Sequence, residues 1–100
     1  MSIAESSGLV SALRQLMPEA MLSVSDERPW HSITFAGAQI RVLADIAGKQ
    51  HRPTAANLIK CLPEHQFDLG NVLVADIAVT DYVNGNTASR LVIDILLLDD

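Results

Sequence analysis

The chain has 100 residues, 49% of them hydrophobic and only 4% aromatic, with seven lysines and arginines against twelve aspartates and glutamates for a net charge of −5. That length fits a single domain over residues 1–100 whose core is built from Leu, Ile, Val and Ala. The acidic balance argues against a nucleic-acid backbone or an anionic membrane surface as the partner. No apolar run nears the roughly 20 residues of a membrane span, and Met1-Ser-Ile-Ala-Glu5 lacks the basic and apolar regions of a signal peptide, so the expectation is a cytoplasmic protein.

The first predicted element is a helix of about 15 residues. Ser2 and Glu5 have the spacing of a capping box, with Ser6 or Ser7 as rival starts; Leu9, Val10, Leu13, Leu16 and Met17 form one apolar stripe, and Pro18 ends it. Ala20–Val24 reads as a short strand closed by the turn-prone Ser25–Pro29. From Trp30 the residues alternate, with His31, Ile33 and Phe35 on one side and Trp30, Ser32 and Thr34 on the other. Ile40, Val42, Ala44 and Ile46 continue the alternation after Ala36-Gly37. A two-residue loop at Ala36-Gly37 pairs Ile33 with Ile40, His31 with Val42 and Arg28 with Asp45, while a bulged three-residue loop is the alternative.

Pro53 suits the first residue of a second helix running to Leu62, with Leu58, Ile59 and Leu62 on one side and Pro63 as its stop. Residues 71–100 then read as one long hairpin, Val72–Thr80 returning as Leu91–Leu98 around Asn84-Gly85-Asn86, apolar on nearly both faces. No repeat of domain size is visible. The elements add up to an α+β fold: a single antiparallel sheet of four to five strands, made of two hairpins with the C-terminal one long, and two amphipathic helices packed on one face. The other face then exposes Val72, Val74, Ala78, Val92, Leu96 and Leu98, a larger apolar patch than monomers usually tolerate.

Chemistry-bearing residues are few. Leu43-Ala-Asp45-Ile46, Val74-Ala-Asp76-Ile77 and Val92-Ile-Asp94-Ile95 each set one aspartate in an apolar strand. A three-residue loop at Asn84–Asn86 places Asp76 opposite Asp94, the candidate catalytic or metal-binding pair; Asn84-Gly85 as a two-residue turn sends the two to opposite faces. The competing reading has Asp76 and Asp94 neutralised by Arg41, Arg90 or Lys60 and merely keeping the face soluble. His31 is the third catalytic candidate, as a side chain at the core or its edge. His51, His65 and Asp68 are a loose candidate for a metal site. Cys61, the single cysteine, reads as a small buried hydrophobe, since Pro63 breaks the helix that would align it with His65.

No phosphate loop, nucleophile elbow, H-E-x-x-H or calcium loop occurs. The expected function is a small non-catalytic interaction protein, without a cofactor, that self-associates as a homodimer through its sheet or meets another protein there. Trp30, Val72, Val74, Val92 and Leu96 are its candidate interface. The alternatives are a small enzyme or metal-binding protein using Asp76 and Asp94, and a module enclosing an apolar ligand.

Overall fold

The computed structural model describes residues 3–70 and 72–99, with side chains described from Gly8 onward. The chain runs α1 (Ile3–Leu16), β1 (Ala20–His31), β2 (Ala36–Ala47), α2 (His51–Cys61), a single 3-10 turn (Leu62–Glu64), β3 (Val72–Asn84) and β4 (Ala88–Asp99). The strands form one antiparallel sheet in the order β1-β2-β4-β3. The fold is thus α+β with four strands and two helices. Among the described residues no helix is long and apolar enough to cross a membrane. The capping box at Ser2 and Glu5 lies outside the described side chains.

Alternation dictates the burial. Ala38, Ile40, Val42, Ala44 and Ile46 of β2 and Leu91, Ile93, Ile95 and Leu97 of β4 are buried, while the residues between them are exposed or half-buried. With period two, one face of each central strand belongs to the core. Leu9 and Leu13 of α1, Met17 just past its end, Ala55 and Leu58 of α2, and Leu62 join them in one cluster. Their spacing of three and four residues is what a helix needs to present a single stripe.

The first hairpin differs from its predicted form. Ala20–Val24 and the segment from Trp30 are parts of one strand, which passes through Ser25–Pro29 with a bulge between Val24 and Asp26. The reversal comes at Ser32–Phe35, where Ser32 N–H donates to Phe35 O at 2.8 Å and Phe35 N–H donates to Ser32 Oγ at 3.0 Å. Ile33 therefore sits fully exposed at the tip instead of facing Ile40, and His31 pairs with Ala36 at the exposed strand end instead of with Val42. Gly37 is no turn residue. It lies within β2, where a Cβ would run into the Leu97 carbonyl, so close backbone approach selects glycine.

The last hairpin reverses at Gly85–Ala88, closed by Gly85 N–H to Ala88 O at 2.8 Å, later than the predicted Asn84–Asn86 loop. β3 also carries two irregularities, between Val74 and Asp76 and between Val79 and Asp81. Each shifts the register by one residue and exchanges the faces. Val72 and Val74 before the first bulge consequently pack against the core, as does Val79 between the two.

Helix followed by hairpin occurs twice, and β2 and β4, the last strand of each half, meet at the centre of the sheet. Leu43 pairs with Val92, Arg41 with Asp94 and Asp45 with Arg90. Advancing β2 by forty-nine residues lays Arg41 on Arg90, Leu43 on Val92, Asp45 on Asp94 and Ile46 on Ile95. The central pair is therefore a local two-fold in side chains as well as backbone, a half-domain repeat carried by R-x-x-x-D-I.

Candidate functional site

The less buried face of the central strands carries the candidate site. At its middle the half-buried Leu43 and Val92 sit opposite each other. On one side of them Arg41 Nε and Nη2 donate to Asp94 Oδ1 and Oδ2 at 2.7 and 3.0 Å. On the other side Arg90 Nε and Nη2 donate to Asp45 Oδ1 and Oδ2 at 2.7 and 3.1 Å. Both pairs are bidentate forks, the geometry in which a guanidinium best matches a carboxylate. Thr80, the residue skipped by the second bulge of β3, adds its hydroxyl to Asp94 Oδ2 at 3.1 Å.

These bonds set the local acidity. The hydrogen bonds from Arg41, and secondarily that from Thr80, hold the Asp94 carboxyl below its ordinary value, against the opposing effect of desolvation. Arg90 does the same for Asp45 through its hydrogen bonds. The guanidinium of each pair shifts upward for the reciprocal reason, its hydrogen bonds to the aspartate. Both carboxylates are committed to charge neutralisation.

Asp76 shares this face with Asp94 but does not oppose it: Asp76 pairs with Leu96 and Asp94 with Ala78, one pleat period apart. Neither predicted hairpin register forms, because the reversal comes later in the chain, with Asn84 paired to Ser89, and the two bulges recover only part of that offset. Asp76, Asp94, Arg41, Asp26 and Arg28 line a concavity of about 250 Å³ on this face. Arg28 binds Asp26 at 2.8 Å and so does not reach Asp45. Among the described residues no three His, Cys, Asp or Glu side chains are grouped to hold a metal ion, His51, His65 and Asp68 included. His31 lies at the exposed end of β1, outside this concavity. Cys61 is exposed, with its thiol 3.5 Å from Asn57 Oδ1, and is not the buried hydrophobe expected.

Of the predicted interface residues, Val92 and Leu96 lie on the open face, and half-buried Trp30 shares it in the row of Gly37, Leu98 and Leu73. Val72 and Val74 do not, for the bulge places them against the core. Exposed apolar residues on this face are Leu73, Met21 and Val83, at 58%, 78% and 63%. The sequence reading offered Arg41 and Arg90 as partners of Asp76 and Asp94, and Arg41 does hold Asp94; what it missed is the crossed pattern, in which Arg90 and not Arg28 holds Asp45. The three aspartate patterns look alike until the residue four before each is compared: Arg41 and Arg90 precede Asp45 and Asp94, whereas Val72 precedes Asp76. The spacing R-x-x-x-D on two adjacent antiparallel strands is the signal for the crossed ion pairs.

No protein-family model matches the chain, and neither the curated proteins nor the solved structures give a match.

Proposed function

We propose that this is a small non-catalytic interaction protein that self-associates face to face through the open side of its sheet, with both helices covering the opposite side. The observation that carries the reading is the charge pattern around Leu43 and Val92: arginine and aspartate in one row, aspartate and arginine in the other. Such a square of alternating signs is its own complement. Turned over about an axis along the strands, or about one across them, a second copy brings every arginine over an aspartate and the Leu43–Val92 pair over itself. A two-fold dimer uses the same patch on both subunits, so self-complementarity is the property it requires.

Magnitudes favour a modest affinity. Four strands at about 4.8 Å spacing and about ten residues at about 3.4 Å make a face of about 650 Å². Two such faces bury about 1,300 Å², at the lower end of stable interfaces. The aliphatic strip supplies the attraction and the charges fix the register, since an ion pair taken from water returns little net affinity. Sedimentation velocity on the whole chain, up to about 100 μM, tests this. The expected result is a concentration-dependent rise from the 10.8 kDa monomer toward twice that mass. A monomer mass throughout that range refutes it.

A further inference from the structure

A second concavity, of about 480 Å³, lies between the Gly48–His51 turn and the second hairpin's tip, lined by Lys49, His51, Asn86 and Thr87 among others. Gly48 N–H donates to Thr87 O at 3.2 Å and ties the two segments together. His51 is only 4% exposed, and its Nδ1 lies 2.7 Å from Ser89 Oγ. The Ser89 hydroxyl, itself buried, donates to Asn84 Oδ1 at 2.7 Å. A hydroxyl has one proton to give. Ser89 gives it to Asn84, so the hydrogen-bond network assigns the donor role to His51 Nδ1. No buried side-chain nitrogen or oxygen among the described residues lacks a partner. Nε2, with no partner among the described residues, therefore meets the open space of the concavity.

We infer that this concavity binds a small oxyanion of the phosphate class. Lys49 lines the cavity, and Arg52, next to His51 in the chain, donates from Nη2 to Gly85 O of the hairpin tip at 3.3 Å; among the described residues neither is in an ion pair and no carboxylate lines the cavity. Within a chain of net charge −5 this is a local run of cationic side chains. The cavity also stands at the positive end of α2, where Gln50 makes no side-chain cap; His51 N–H donates to Gly48 O at 3.2 Å and Pro53 has no N–H, which leaves Arg52 N–H as the first-turn donor open to a ligand. Around the ring the sheet supplies Ser89 and Asn84, the hairpin tip Asn86 and Thr87, and the helix turn Lys49. None of these is acidic. The relay already holds a proton on Nδ1, so a second proton on Nε2 makes an imidazolium donor without rearranging Ser89 or Asn84.

The test is titration of the ¹⁵N-labelled full chain with inorganic phosphate and with sulfate, followed by NMR. Saturable shifts confined to residues 48–52 and 86–89 are expected. Lys49→Gln, a change at an exposed side chain that leaves the fold in place, should weaken both anions about tenfold by removing a charge-assisted contact. Unsaturated shifts spread over the surface, or unchanged affinity in Lys49→Gln, would each overturn the assignment.

Discussion

At the scale of single residues, the two ion pairs couple the fold to pH. Asp45 and Asp94 titrate below their ordinary value in the folded chain, chiefly because arginine donors bond their charged forms. A carboxyl with a depressed folded value stabilises the fold at pH above its unfolded value, about 4, and loses that contribution as pH falls through the folded one. Thermal unfolding followed from pH 6 to pH 2 should therefore show an acid limb beginning near pH 4. Asp94→Asn should make that limb shallower, by a few degrees at most because the pair is partly solvated. An identical limb in the variant would show that Asp94 is not held as described. Gly37 shows what was illegible at this scale. The dipeptide Ala36-Gly37 has the composition of a turn, and only the approach of the Leu97 carbonyl, distant in sequence, explains the glycine.

At the scale of elements, alternation along β2 and β4 was legible because both strands are regular over their whole length and bury every second residue. The same holds for the stripe of α1 and for the existence of α2, although Pro53 stands third in that helix and not first. β1 and β3 were not legible in register, since both reversals fall away from the most turn-like dipeptides, at Ser32–Phe35 and Gly85–Ala88, and a bulge, which leaves no mark in composition, moves every side chain beyond it to the other face. Val74 and Leu96 separate the two situations. Val74 precedes the bulge and packs on the core, whereas Leu96 lies on the open face. Val74→Lys should cost the fold about 2 kcal/mol or more, by burying a charge with no partner. Leu96→Lys should change stability by only about 0.5 kcal/mol, with the lysine stem lying along the sheet, yet abolish self-association. Denaturant unfolding with sedimentation on both variants checks this. Equal stability losses would mean that the two valine and leucine positions share a face after all.

At the scale of the whole molecule, the half-domain repeat gives the open face its alternating charges, and that symmetry has a consequence that a merely apolar patch lacks. Arg41→Glu combined with Arg90→Glu leaves four carboxylates around Leu43 and Val92; Asp45→Lys combined with Asp94→Lys leaves four cations there. Either face laid on its own copy sets like charges against one another at every corner. Either laid on the other sets opposite charges everywhere. Each double variant, folded by circular dichroism, should stay monomeric at concentrations where the proposed dimer of the parent chain forms. An equimolar mixture should recover the dimer, more weakly as salt rises and screens the four contacts. The aliphatic strip is unchanged in both, so the mixture reads the charge register alone. Dimerisation of either variant by itself, or a folded mixture that remains monomeric, would show that the square of charges does not decide which face meets which.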